Sequence, residues 1–519
     1  MTQFRLLDTG LLTAAENMAL DEVLTRRAGA GLSPPTLRFL RFSPDAALVG
    51  YHQDAERELR LDYCAANGIE VNRRVTGGGA LLFQEFSLGW EIIAPWGEGP
   101  FAGGFNAALE RICLAAAQGL SSLGVEACFR PRNDIEVDGR KISGTGGMVL
   151  EGGAMFQGTV LVVNEIDRFL RALRVPVEKL KRREIESLME RMAFLEDLLG
   201  RPLPMAELKD ALAQGLSQGL GFSLEPGGLT DDEKEELAQR LPYFRSEKWL
   251  GLKSLPSDRP AWLRHYVQGE GGSMRVHLWL DKRGARVQKA LISGDFFARP
   301  QRLVPDLEAA LMGVKAKPEE LRRVVEEFLT NASGELVGIT PAEAARAVAE
   351  AGARLALARE LGQEDAAELF LVNLTPDQAL AQKPAWLLLP YCAKPPDCDF
   401  RYVPDCGVCG ECQFTQMITL GEELSLTPVS IQSFEHLMEN LHRIQKAGGW
   451  FLGSCCEAFY AKHQREMEDS GAQGVLVNLD STTCYDLGKG MAAYAGHFDN
   501  QTEMNTALIE KVARRMGHA

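Results

Sequence analysis

The sequence predicts an α+β protein: a mixed sheet with helices packed against it, a small α+β accessory unit, then a cysteine-rich α/β domain. Three observations carry this. Residues 1–250 mix short β-branched or apolar runs with amphipathic helical stretches. Residues 270–297 return to strand-like alternation before a helical run over 307–329. Composition then breaks near residue 340. Residues 341–519 hold eight of the eleven cysteines and carry 14 Lys+Arg against 24 Asp+Glu, a net of −10 out of the chain's −15.

Taken in order, 37–41 and 47–49 read as short strands around the turn Ser43-Pro44-Asp45. Residues 59–67 read as a helix stopped by Gly68, 69–72 as a strand, and 88–93 as another. The stretch 106–123 is strongly amphipathic and closes at Gly124. Asp138-Gly139 supplies the positive φ that a tight turn needs, so 135–137 and 140–142 form a hairpin, followed by a strand over 159–163. Residues 164–241 are charged and helix-rich, punctuated by Pro202 and Pro204, with a capping box at Thr230-Asp231-Asp232-Glu233. In the accessory unit, 274–280 and 287–292 are strands joined by a turn at 281–284. Pro341 after Thr340 starts a helix to about residue 361. Beyond it, apolar runs at 386–389, 428–431, 449–453 and 475–479 alternate with helical stretches at 434–447 and 456–468. The expected units are 1–250, 251–335, a helical connector over 336–380, and 381–519.

A length of 519 residues suits three or four domains, and a pI near 5.2 speaks against a general nucleic-acid binder. No run approaches the ~18 apolar residues of a membrane span. Charged residues at Arg5, Asp8, Glu16, Asp21 and Glu22 exclude a signal peptide at the start, so the chain is expected in a reducing cytoplasm, with no membrane partner.

The most informative stretch is Arg73-Arg74-Val75-Thr76-Gly77-Gly78-Gly79-Ala80. Three consecutive glycines are entropically costly and make sense where backbone must approach a ligand closely. The paired arginines could grip phosphate or carboxylate. The plainer reading is a flexible turn with solvated arginines. No Gly-Lys-Ser/Thr follows, so this is not a P-loop. A lysine comes instead from Asn133-Asp134-Ile135-Glu136-Val137-Asp138-Gly139-Arg140-Lys141-Ile142-Ser143-Gly144, where Lys141 sits between two turns as a fixed positive charge.

Together these two segments resemble the lipoate–protein ligase family, of the biotin/lipoate ligase fold, over about residues 1–335. The resemblance implies that lipoate or octanoate and ATP, with Mg²⁺, form an acyl-adenylate, which a lysine of a lipoyl-domain acceptor protein then attacks. It implies Lys141 as the catalytic charge and assigns ligand binding to Arg73, Arg74, Thr76, Gly77, Gly78, Gly79, Ala80, Asn133, Asp134, Ser143, Gly144, Gly158 and Thr159. Leu81, Leu82 and Phe83 would line an acyl tunnel. The chain departs from the family pattern at Gln84 and Gln157, where histidine is common, so a non-catalytic lipoyl-binding protein is a further alternative. Octanoyl transferases, close relatives of the same fold, work through a cysteine acyl-enzyme. No cysteine lies between Lys141 and Gly158, Cys113 falls in an apolar helical pattern, and Cys128 precedes the lysine motif. The adenylating ligase is therefore the preferred expectation, and ATP-independent octanoyl or lipoyl transfer the alternative.

The second constellation is Cys406-x2-Cys409-x2-Cys412, with Cys392 and Cys398 upstream and Cys455, Cys456 and Cys484 downstream. Closely spaced thiols can converge on zinc or, as the trio favours, an iron–sulfur cluster. All eight are candidate metal ligands, whereas His463 reads as a surface helix residue. This third of the chain resembles a cysteine-rich domain of unknown function that occurs alone or fused to lipoate ligases, a resemblance that implies no chemistry.

Overall fold

The alternating segments of the first part assemble into one eight-stranded sheet. Its order is Phe222–Pro226, Thr2–Leu12, Thr36–Phe42, Leu88–Pro95, Gly153–Val160, Arg140–Leu150, Asp134–Val137 and Ala127–Arg130. The first three strands run parallel and every later neighbour pair is antiparallel, which gives the mixed sheet. This computed structural model describes residues 2–131, 133–173, 192–255, 263–269, 271–281, 283–479 and 500–517.

The central strands Thr36–Phe42 and Leu88–Pro95 are almost wholly buried because both faces are covered. Leu37, Phe39, Trp90 and Ile92 face one core, built with helices Phe105–Ser121 and Met205–Leu220. Leu40, Phe42 and Ile93 face the other, built with helix Ala14–Gly29. The first two helices meet through glycine: a Cβ on Gly215 would stand 2.4 Å from the Gly119 backbone. Strands Thr2–Leu12 and Phe222–Pro226 were not anticipated. They pair with each other across more than 200 residues, and the second is a short, largely exposed edge whose partner alone makes it a strand.

A separate three-stranded sheet, in the order Glu70–Arg73, Ala46–Val49, Leu81–Phe83, carries the glycine loop between its two outer strands. The accessory unit is an antiparallel sheet of Leu263–Gln268, Ser273–Leu280 and Val287–Gly294. The helix expected over 307–329 is two helices, Leu303–Leu311 and Pro318–Asn331, interrupted by Gly313 at φ +80° and restarted by Pro318. The stretch 336–380, read as a helical connector, also contributes strand. Glu335–Val337 pairs with Phe297–Arg299, and Leu369–Val372 joins the last sheet.

That last sheet is ordered Leu369–Val372, Gln473–Val477, Trp450–Ser454, Trp386–Pro390, Thr427–Ile431. Its first strand is antiparallel and the other four are parallel. From Trp386–Pro390 the chain first moves outward to Thr427–Ile431, then returns to Trp450–Ser454 on the opposite side. Met274 and Ile292 of the accessory sheet, Val348 and Leu357, and Leu387, Trp450 and Leu452 share one continuous apolar core. No helix among the described residues is long and apolar enough to cross a membrane.

Arg57 of the first part reaches Glu457 of the last, 2.9 Å away. Although burial opposes it, the surrounding Arg57, Arg264, Arg275 and His277 lower the Glu457 carboxyl from 4.5 to about 2. A carboxyl depressed in the folded state stabilises above its unfolded pKa and loses that contribution as pH falls through the folded one. The stability gap between the native chain and Glu457→Gln should therefore be widest above pH 4.5 and close as pH falls through about 2, measured by denaturant titration across that range.

Candidate active site

The strands Ala127–Arg130, Asp134–Val137 and Arg140–Leu150 form a three-strand edge whose register sets the site. Cys128 stands opposite Glu136, and Glu136 opposite Lys141. Directly opposed residues project from the same face, so the three side chains form a row, with the outer two backbones about 10 Å apart at normal strand spacing. Arg130 and Asp134 extend that face. Arg130 donates to Glu136 Oε1 at 2.6 Å, and Lys141 Nζ lies 2.7 Å from Asp134 Oδ1. Lys141 remains 39% exposed, open enough to meet a substrate. Gly144 makes room for it, since a Cβ there would stand 3.0 Å from the ammonium nitrogen.

Asn133 locks the bend beneath the lysine: its Nδ2 donates to the Thr145 carbonyl at 2.6 Å, and its own carbonyl accepts from Thr145 N–H and Oγ1. Ser143 is fully buried, and Gly158 fits beneath Trp90, whose ring lies 2.3 Å from where a Cβ would be. Thr159 Oγ1 lies 4.0 Å from the same Cβ position at Gly144 that meets the lysine.

The arginines differ from expectation. Arg73 is fully buried and donates to the carbonyls of Gly50, Tyr51, Gln53, Trp249 and Leu250 at 2.5–3.1 Å. Arg74 is equally occupied by Leu48, Gly77 and Gly79 carbonyls. Burial lowers both to about 10, so both remain charged at neutral pH. They hold the loop from within rather than gripping a phosphate. Arg73→Ala would leave those carbonyls unpaired in a closed space, and we expect it to cost about 3 kcal/mol or more in a urea unfolding experiment.

The glycine run also has a packing reason. A Cβ on Gly77 would stand 2.7 Å from the Phe296 carbonyl, one on Gly78 would meet the Phe297 ring at 2.8 Å, and Gly78 has φ +89°. The end of the accessory hairpin thus seats directly on the loop, while Gly79 faces open space. Thr76 accepts from Gln157 Nε2 at 2.9 Å, and Gln84 donates to Glu165 at 2.5 Å. Both glutamines act as hydrogen-bonding props. Leu82 and Phe83 are buried in apolar clusters, Leu81 and Ala80 half-buried beside them.

Among the thiols before residue 250, Cys64 and Cys113 are buried, and burial raises both, Cys113 to about 11. Cys128 is exposed. Sequence reasoning undervalued it because its exposure comes from strand alternation and its neighbours from cross-strand pairing, neither of which its flanking residues announce.

A profile of the lipoyl protein ligase A/B catalytic domain matches residues 13–217. The octanoyltransferase LipM of Symbiobacterium thermophilum is 32% identical over 262 residues, covering 46% of this chain and 94% of that one. The chain belongs to this family. The octanoyltransferase LipM of Moorella thermoacetica is 30% identical over 271 residues, covering 48% and 97% of the two chains. The solved bipartite lipoate protein ligase of Thermoplasma acidophilum is 27% identical, with 50% of this chain and all of that one covered and a TM-score of 0.44. Members of the lipoyl ligase/transferase family are enzymes, and both of these LipM relatives are named octanoyltransferases. That overturns the expectation of an ATP-dependent, acyl-adenylate-forming lipoate–protein ligase, in line with arginines bound to backbone rather than free for phosphate.

The candidate metal ligands fall into two groups. Cys398, Cys406, Cys409 and Cys412 lie along a loop folded around Lys394, whose ammonium donates to the carbonyls of Phe400, Val403 and Asp405 at 2.6–3.0 Å. Cys392, Cys455 and Cys456 line a cavity at the strand ends. Cys484 lies outside the described residues. Among the described residues no three His, Cys, Asp or Glu side chains come close enough together to hold a metal ion. Burial pushes the Cys392 and Cys455 thiols up, favouring the neutral form. His463, expected on the surface, is fully buried and stacks on Phe434 at 4.0 Å.

Proposed function

We propose that the chain transfers an octanoyl group from a thioester donor to a lysine of a lipoyl-domain acceptor protein, through an acyl-enzyme on Cys128. The observation that carries this reading is the row Cys128–Glu136–Lys141, which presents the one exposed thiol of the first 250 residues on the same face as the lysine. The names of the matched relatives support it.

The chemistry is a pair of acyl transfers. The Cys128 sulfur, as thiolate, attacks the donor carbonyl; the donor C–S bond breaks, and the donor sulfur leaves and takes up a proton. The acceptor lysine's neutral amine then attacks the Cys128 thioester. An amide forms, the Cys128 sulfur leaves, and the proton lost by the amine returns to the thiolate. Each step builds negative charge on the carbonyl oxygen, and the Lys141 ammonium, fixed by Asp134, is the preorganised counter-charge. Neither step consumes ATP or calls for Mg²⁺.

The test is to incubate the full chain with an octanoyl thioester, without acceptor, and map the modified peptide by mass spectrometry. The expected product carries one octanoyl group on Cys128, removable by neutral hydroxylamine. Modification elsewhere, or none, contradicts the reading.

A further inference from the structure

A cavity lies far from the Lys141 row in sequence, in the cysteine-rich domain. The space among its lining residues amounts to about 860 Å³ with the solvent at its mouth included. It opens at the carboxyl ends of the parallel strands. There Trp386–Pro390 is followed by Cys392 and Trp450–Ser454 by Cys455 and Cys456. These two strands are adjacent, and the chain leaves them in opposite directions across the sheet. Open α/β sheets bind ligands at such a reversal, because diverging connections leave a crevice between them.

The cavity is overwhelmingly apolar, with a few polar groups at its rim. Its inner wall is hydrocarbon: Leu388, Phe451 and Leu476 from the sheet face, and Leu437, Phe459 and Met467 from the covering helices. Its rim is where those helices begin. Ser433 caps the helix Phe434–Ala447, its hydroxyl accepting from His436 N–H at 3.2 Å. Cys456 caps Glu457–Asp469, its sulfur accepting from Phe459 N–H at 3.4 Å. Both caps line the cavity, so the positive ends of two helices of three to four turns flank its mouth. Gln432 lines the same rim, with its Oε1 buried and without a hydrogen-bond partner. An apolar wall with a polar rim suits a hydrocarbon chain with one polar end. A carboxyl group supplies oxygens to the helix amide ends and, in its acid form, a hydrogen to Gln432.

We propose that this cavity binds a medium-chain fatty acid, tail inward against Phe451 and Leu476 and carboxyl group at the rim between Ser433 and Cys456. The site is separate from the Cys128–Lys141 row, and its assignment does not depend on that reading. Cys392, held by a 3.0 Å hydrogen bond from Thr502 Oγ1, and Cys455 furnish small, polarisable wall rather than nucleophiles.

The experiment uses the full chain and octanoic acid carrying a terminal diazirine. Irradiation followed by peptide mapping should place adducts on peptides containing Leu388, Phe451 or Leu476. Excess octanoate should suppress them. Leu437→Trp, which fills the cavity, should lower this labelling by about tenfold or more while leaving any labelling of residues 1–250 unchanged. Leu479→Trp, at the half-buried mouth, is the second blocking variant should the first fail to fold by circular dichroism. Adducts confined to residues 1–250, adducts that excess octanoate does not suppress, or C-terminal labelling that persists at the native level in a folded blocking variant would each overturn the proposal.

Discussion

Cys128→Ala is expected to lower octanoyl transfer by about 10³-fold or more, the scale of loss when a covalent nucleophile is removed. The thiol is exposed on an edge strand and does not contribute to either core, so the folded state should be little affected, within about 0.5 kcal/mol. The measurement is the rate of acceptor octanoylation from a thioester donor, set beside an unfolding curve for the same variant. Cys113→Ala is the matched control. That thiol sits in the core beside Thr145, 3.3 Å from its hydroxyl, and should change stability far more than the chemical step. Full activity in Cys128→Ala would remove the acyl-enzyme from the mechanism.

Lys141→Ala is expected to lower kcat by about 10²–10³-fold, the usual loss when one preorganised charge at a developing oxyanion is removed. Its single ion pair with Asp134 is partly exposed, so stability should change by no more than about 1 kcal/mol. Both half-reactions should slow, because both build charge on the same oxygen. Gly144→Ala should act in the same direction, since its Cβ would press on the lysine at 3.0 Å. An Lys141→Ala enzyme that forms the acyl-enzyme at the native rate would assign the lysine to acceptor binding alone.

The lysine motif was legible because its signals are local. Asp138-Gly139 fixes the turn and the register follows, bringing Lys141 to Asp134. The mixed sheet was legible from alternation, save for its parallel edge, which a long-range partner creates. The arginines were misread for a physical reason. Arg73 and Arg74 look like ligand grips from their neighbours in sequence, yet their partners are carbonyls that come together only in the fold, from Leu48 to Leu250. The glycine run was read as a close approach to a ligand; in the fold Phe296 and Phe297 of the accessory unit approach Gly77 and Gly78. Cys128 was weighed and set aside, and the strand-end cavity was not foreseen, because each depends on which strands lie side by side.

The central claim is transfer without adenylation, and it is tested most directly by withholding ATP. The full chain, an octanoyl thioester and a lipoyl-domain acceptor should together yield the octanoylated lysine in ATP-free buffer, and octanoate with ATP should yield no pyrophosphate exchange. Acceptor octanoylation that appears only with ATP and free octanoate, together with octanoate-dependent pyrophosphate exchange, would contradict it.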